Sequence, residues 1–287
     1  MNRAELQFVF FGTPDVASET LTLLAESGYL PILIVTSPNR PSGRGMHITQ
    51  TPVAIWAAAH SIPCLKPEKI TNEFIDELKK YPSDIFIVVA YGKIVPQALI
   101  ELPSRGTFNI HYSLLPKYRG ASPVEQALLE GDETTGVSIQ QMAFKLDSGA
   151  LIAQQNEPIK IDDTKESLRG RLIQIGANML SAVLPQIQNG TIETKVQDET
   201  LATYCTKIKK EDGLIDPQNN SRENYNKYRA YHGWPGVYFF TERHGKNIRV
   251  KITKARYEDD SFIIERVIPE GKKEIAYADF LQSNTSK

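Results

Sequence analysis

Asn109 and His111 stand two residues apart at the end of the apolar run TFNIH (107–111), and the chain continues Tyr112-Ser113-Leu114-Leu115-Pro116. In a strand, residues two apart share one face, so an amide and an imidazole would project together near the strand's carboxyl end. An amide N–H can donate to an oxygen that is gaining negative charge while an imidazole handles a proton. The same two residues can equally be a satisfied structural pair, and their spacing does not decide between the two readings. Asp147 lies in the polar loop Lys145-Leu146-Asp147-Ser148-Gly149, between VSIQQM and ALIAQQ. A carboxylate there could reach His111 and fix its tautomer or favour its charged form, or it could be a turn aspartate with Gly149 closing the turn.

Other motifs exclude more than they suggest. Gly43-Arg44-Gly45 opens no helix and has no third glycine at dinucleotide-binding spacing, and neither Gly92-Lys93 nor Gly245-Lys246 has the rest of a phosphate-binding loop. Cys64 and Cys205 are far apart with no second Cys or His at ligand spacing, so the expectation is reduced thiols and no metal.

Positioning such residues requires a sheet. LQFVFFG (6–12), LPILIVT (30–36), DIFIVVA (84–90) and TFNIH read as strands. Helix-like segments alternate with them at 15–26, with Thr13 as N-cap and Pro14 first in the helix, and at 52–61, 70–80 and 123–130. Continuous apolar strands separated by helices predict an α/β fold, a Rossmann-like, doubly wound, mostly parallel sheet that binds ligands beyond the strands' carboxyl ends. ALIAQQNEPIKI (150–161) reads as a longer strand, and Asp163 with Glu166 as a capping box for a helix through Gln188 that Gly190 ends. After about Leu201 the apolar runs shorten and alternate, as in VYFFTER (237–243), IRVKITKAR (248–256) and SFIIERVI (261–268), the pattern of a small all-β module. The expected division is 1–190, a linker over 191–205, and 206–287.

Charge follows the same division. Lys and Arg number 17 against 22 Asp and Glu over residues 1–200, but 12 against 5 over 205–256, as on a surface that faces a polyanion or as in an uneven solvated surface. No apolar stretch reaches the roughly 18 residues that span a bilayer, and the N-terminus lacks signal-peptide flanks, so a cytoplasmic protein without a membrane partner is expected.

Longer segments carry a resemblance along nearly the whole chain: FFGTPDVASETL (10–21), RPSGRGM (40–46), TPVAIWAAAHSIP (51–63), VVAYGKIVP (88–96), FNIHYSLLPKYRGASPV (108–124), ETTGVSIQQM (133–142), KLDSGALI (145–152), TYCTKIKKEDGLID (203–216) and RAYHGWPGVYF (229–239). The chain resembles the formyltransferases that use 10-formyltetrahydrofolate, and within them the branch that acts on methionyl-tRNA. The N-x-H-x-SLLP and D-S-G segments are general to formylfolate transferases, whereas R-P-x-G-R-G and K-I-x-K-E-D-G-x-I-D point to the tRNA branch. The resemblance implies formyl transfer from 10-formyltetrahydrofolate to the α-amino group of methionine on initiator methionyl-tRNA, without metal and by a monomer. It assigns Asn109, His111 and Asp147 to catalysis. Ser113, Leu114, Leu115 and Pro116, with Lys93 and Ile94 nearby, border the folate. Arg44 and Arg40, in the loop from Pro38 to Gln50, enter the acceptor stem, and Lys207, Lys209 and Lys210 meet tRNA phosphates. It also implies a barrel-like, OB-like C-terminal domain, here shorter than usual after Trp234-Pro235-Gly236 and net acidic by 3 over residues 257–287. Ser122 and Pro217 stand where Ala and Trp are commoner. A sugar or nucleotide-sugar N-formyltransferase or a formyltetrahydrofolate hydrolase would share the same three residues. A catalytically idle RNA-binding protein would not need them.

Overall fold

The structure is a computed structural model that describes residues 6–42, 47–243 and 245–282. In chain order the elements are β1 (Phe8–Gly12), α1 (Asp15–Glu26), β2 (Leu33–Val35), β3 (Arg40–Ser42), β4 (His47–Thr49), α2 (Pro52–Ala59), β5 (Cys64–Leu65), α3 (Asn72–Leu78), β6 (Ile85–Val89), α4 (Gln97–Ile100) and β7 (Thr107–His111). There follow β8 (Arg119–Gly120), α5 (Pro123–Glu130), β9 (Thr134–Gln141), β10 (Leu151–Pro158), α6 (Lys165–Asn189) and β11 (Tyr204–Cys205). The last elements are α7 (Ser221–Ala230), β12 (Val237–Arg243), β13 (Lys246–Glu258), β14 (Ser261–Pro269), β15 (Ile275–Ala276) and α8 (Tyr277–Gln282). The chain forms two compact units. One comprises the residues through Arg119, 136–157 and 171–204; the other comprises 120–135, 158–170 and Cys205 onward.

The first unit holds a seven-stranded sheet in the order β10-β9-β7-β6-β1-β2-β5. Every residue of β1 and β6 is buried, which is why their sequences run apolar without alternation. They pair in parallel with Phe8 opposite Ile85 and Phe10 opposite Ile87, and β6 pairs in parallel with β7, Val88 opposite Asn109. Only beyond β7 does the direction reverse, where β9 runs antiparallel. One face packs Val9, Phe11, Leu33, Val35, Phe86, Val88, Tyr91 and Leu99 into a continuous core. At about 1.5–3 kcal/mol for a fully buried large apolar side chain, such a core dominates the unit's stability.

Helix α1 buries Val16, Ala17, Thr20, Leu21 and Leu24, the i, i+4, i+8 stripe that lets a helix lie on a sheet. Its N-cap is Pro14 rather than Thr13, because the Thr13 hydroxyl donates instead to the Tyr91 carbonyl at 3.0 Å. Helix α2 starts as a capped helix should: Thr51 accepts from the Ala54 N–H at 3.1 Å, with Pro52 in the first turn. The expected irregular loop over 38–50 contains the two-stranded ribbon β3–β4, with Arg40 paired to Thr49 and Ser42 to His47. Backbone pairing there satisfies groups that a mobile loop would leave to water. Arg44 lies outside the described residues. Helix α6 lies close against the sheet: a Cβ at Gly176 would come within 2.9 Å of Ile110, so a glycine is needed at that approach.

In the second unit, β12-β13-β14-β15 form an antiparallel sheet. Val237, Phe239, Val250, Ile252, Val267 and Pro269 are its buried side chains, while Tyr238, Phe240, Arg249 and Lys251 take the other alternation positions. Helix α7 packs there through Tyr225, which stacks on Tyr257 at 5.3 Å. At the start of α6 the reciprocal capping bonds join Thr164 and Ser167, at 3.1 and 3.4 Å, rather than Asp163 and Glu166. Asp163 is drawn away, accepting from the Lys160 N–H at 2.7 Å. Among the described residues no helix is long and apolar enough to cross a membrane.

Tyr91, 2% exposed, makes an edge contact with Phe11 at 5.5 Å, and its hydroxyl has no hydrogen-bond partner among the described residues. Burial pushes its pKa up to about 12. An unfolded chain would lose that proton near pH 10, so folding is favoured below about pH 10 and weakens as pH rises toward 12. Tyr91→Phe removes both the unpaired hydroxyl and this linkage. In urea unfolding it should match or exceed the wild type at pH 7 and lose less stability than the wild type between pH 10 and 12. Identical pH slopes for the two proteins would count against this assignment.

Candidate active site

Strand β7 ends in Asn109 and His111, and β9 runs beside it with Gln140 opposite Asn109 and Ser138 opposite His111. Four polar side chains thus occupy one face of a buried antiparallel pair, and Gln140 bonds directly to Asn109. The backbone N–H of Gly149 donates to Gln140 Oε1 at 3.1 Å, so the other end of that amide is the donor. Gln140 Nε2 donates to Asn109 Oδ1 at 3.2 Å and to Asp147 Oδ1 at 3.0 Å. Asn109 Nδ2 in turn donates to the Val88 carbonyl at 3.0 Å. One of its two N–H bonds is committed there, and the second is the one available to an anionic oxygen.

His111 is 6% exposed, and its Nε2 lies 2.8 Å from the Tyr118 carbonyl. A carbonyl oxygen only accepts, so Nε2 carries a proton and the neutral ring presents Nδ1 as its basic atom. Asp147 Oδ2 is 3.7 Å from Nδ1, placed to pair with the ring once Nδ1 is protonated. Asp147 itself has φ +47°, a left-handed conformation uncommon for a residue with a side chain. A Cβ at Gly149 would lie 1.7 Å from the Gln141 carbonyl, so the loop returns against β9 with no room for another residue type. The arrangement offers one N–H donor, one imidazole that can accept and release a proton, and one carboxylate to balance the resulting charge. Those parts suffice for acyl transfer to an amine without an enzyme nucleophile.

The segment after His111 is fixed by the same strand. Ser138 Oγ donates to the Ser113 carbonyl at 2.6 Å and accepts from Leu115 N–H at 3.0 Å, while Gln154 Nε2 donates to the Leu115 carbonyl at 2.8 Å. Ser113 and Leu115 point inward, at 0% and 3% exposed, whereas Leu114 and Pro116 are half-buried. Of the other positions expected to border the folate, Ile94 is 86% exposed, and Lys93 Nζ donates to the carbonyls of Pro67 and, at 3.0 Å, of Glu68. Burial lowers the Lys93 pKa, with Arg40 adding to the shift and Glu68 opposing it. Arg40 forms an exposed ion pair with Glu68 at 3.2 Å. Lys207, Lys209 and Lys210 are exposed.

The polar residues that hold the site were not anticipated from their types. Gln140 (1% exposed), Gln154, Gln197 (5%) and Arg119 (0%) form most of the bonds around it. One signal was present: in VSIQQ, Ser138 and Gln140 alternate with apolar Val137 and Ile139 in a strand buried on both sides.

Residues 6–184 match the formyl transferase family, and residues 207–264 match the formyl transferase C-terminal domain. Methionyl-tRNA formyltransferase of Geobacter metallireducens is 36% identical over 97% of this chain and 96% of its own length. That of a Sulfurihydrogenibium species is 41% identical over 87% and 81% respectively. Among solved structures, the N-formyltransferase of Helicobacter canadensis, crystallised with folinic acid and dTDP-3-aminofucose, superimposes with a TM-score of 0.62 at 22% identity, covering 94% of this chain and 98% of that one. With more than half of its length matched and relatives this similar from end to end, the chain belongs to the formyl transferase family.

Proposed function

We propose that the protein transfers the formyl group of 10-formyltetrahydrofolate to the α-amino group of methionine on initiator methionyl-tRNA, for translation initiation. The observation that carries this reading is the end-to-end match with methionyl-tRNA formyltransferases, which spans the part after Cys205 as well as the α/β part. The geometry supports the chemistry. In the first step the neutral amine attacks the formyl carbon, the carbonyl π electrons move onto oxygen, and the second Asn109 N–H donates to that oxyanion. The attacking nitrogen must lose a proton, and His111 Nδ1 takes it, forming the imidazolium that the Asp147 carboxylate balances. Collapse of the tetrahedral carbon breaks its bond to N10, which receives the proton from His111. The products are formylmethionyl-tRNA and tetrahydrofolate.

The folate's flat ring system would lie against the half-buried Leu114 and Pro116 and the exposed Ile94, with Ser113 and Leu115 bracing the turn and Lys93 beside it. Arg44, Arg40 and the exposed Lys207, Lys209 and Lys210 would serve tRNA. In this reading residues 1–190 form the catalytic part, 191–205 connect, and 206–287 serve tRNA. The protein works as a monomer in the cytoplasm.

One competition assay tests the substrate assignment. With 10-formyltetrahydrofolate as donor, initiator methionyl-tRNA, an amino-sugar nucleotide and water are compared as acceptors. Formylation of methionyl-tRNA should dominate; preferred sugar formylation or formate release would overturn the reading. Asn109→Ala should lower kcat about 10²–10³-fold, since an oxyanion donor acts only in the transition state, and His111→Ala should cause a comparable loss. Wild-type turnover in either variant would remove it from the mechanism.

Replacing Lys207, Lys209 and Lys210 together with Ala should weaken tRNA binding and lower the slope of log K against log salt by about 2–3, with folate binding unchanged. Arg44→Ala should depress tRNA formylation more than folate binding. An unaltered salt slope would place the phosphate contacts elsewhere.

A further inference from the structure

We propose that Gln197 is a positioning residue for the Asn109–His111–Asp147 site, held in its working orientation by the buried guanidinium of Arg119. The proposal rests on the reading above that Asp147 acts with His111.

Arg119 is fully buried and can only donate. Its Nε and Nη2 reach Gln197 Oε1 at 3.1 and 2.8 Å. Two donors on one end of the amide leave the other end as Nε2, which donates to the backbone carbonyls of Asp147 at 2.9 Å and Gly149 at 2.8 Å. The left-handed backbone of Asp147 is therefore tied down at its own carbonyl and two residues later. Gln140 holds the carboxylate of the same residue, so Asp147 is fixed at both its backbone and its side chain.

Arg119 reaches the other side of His111 through the chain. It follows Tyr118, whose carbonyl accepts from His111 Nε2. The N–H of Tyr118 donates to Thr203 Oγ1 at 2.9 Å, and that of Arg119 to the Thr203 carbonyl at 2.9 Å. Both imidazole nitrogens thus face groups anchored by Arg119 and the 197–203 segment. Glu199 closes the outer edge of the guanidinium at 2.7 and 3.1 Å. Hydrogen bonds from Arg119 and then Lys145 hold the Glu199 pKa down to about 2, so it stays ionised through neutral pH. Arg119 has its counter-ion in Glu199 without Gln197. The Gln197 amide instead connects the guanidinium to the catalytic loop, and errors of about 1 Å in such a loop cost on the order of 10²-fold in rate.

Gln197→Glu keeps an oxygen for Arg119 but sets a second oxygen against the two loop carbonyls. The rate is read as consumption of 10-formyltetrahydrofolate with whichever acceptor the wild type uses, so a wrong acceptor assignment would surface separately in the competition assay. The variant should lose about 10- to 100-fold in kcat with KM unchanged for both substrates, and its pH–rate profile should move in the same direction as that of Asp147→Asn, which removes the carboxylate placed to balance the His111 imidazolium. In the Asp147→Asn background it should add little further loss, because the positioned carboxylate is already gone. Wild-type kcat and pH profile in Gln197→Glu, or losses that multiply with Asp147→Asn, would overturn the proposal. Should Gln197→Glu fail to fold, Gln197→Met keeps the length of the side chain but removes both bonds to the loop carbonyls. It should show the same kcat loss with KM unchanged, and a wild-type kcat there would equally overturn the role.

Discussion

A side-chain amide buried in a sheet must find partners for both its oxygen and its nitrogen, and Gln140 finds all of them within the candidate site. It sits directly opposite Asn109 because β9 pairs antiparallel with β7 in this register; a slip of one residue would turn Gln140 and Ser138 to the other face of the sheet. From that pairing the remaining geometry follows. The orientation of the Asn109 amide, the place of the Asp147 carboxylate and the path of Ser113 to Leu115 are each set by a hydrogen bond that a β9 side chain donates. The reversal of strand direction between β7 and β9, with β10 beyond them, thus sets the site within the sheet and not at its edge.

Buried polar networks of this kind are stable only when complete. An unsatisfied buried amide costs about 1–3 kcal/mol, so losing one partner raises the energy of several others. Asp147 remains in a left-handed conformation because Gln140 and Gln197 hold it from two directions, and the close approach at Gly149 permits no adjustment.

Much of the α/β part was legible because strands buried on both faces have to be apolar throughout: β1, β6 and β7 lie where FVFFG, IFIVV and TFNIH read as strands. Asn109, His111 and Asp147 could be singled out by type, but their spacing left a structural pair and a turn aspartate open; the fold brings the three together through Gln140 and the His111–Asp147 approach. Gln140 and Gln197 were not legible, because a glutamine looks the same in sequence whether it solvates a surface or closes a network across the fold. Helix α7 was missed for a related reason. It buries Asn224, Asn226 and Arg229 beside Tyr225, so its inward face carries no apolar stripe. Asn226 and Arg229 are satisfied partly by each other at 2.8 Å, a pairing that only the folded chain discloses.

The parts of the site are spread unevenly along the chain. Asn109, His111 and Asp147 are synthesised early, but the groups that fix Tyr118 and the Asp147 loop, Gln197 and Thr203, come only after the 25-residue helix α6. At roughly 5–20 residues per second, several seconds separate the emergence of His111 from that of Thr203 during translation. Once Asp147 has emerged, a nascent chain has all three side chains of the proposed site but lacks the bonds that orient them. The Asp147 loop gains these partners only when the segment after α6 folds back, which ties completion of the site to a late step in the protein's own synthesis.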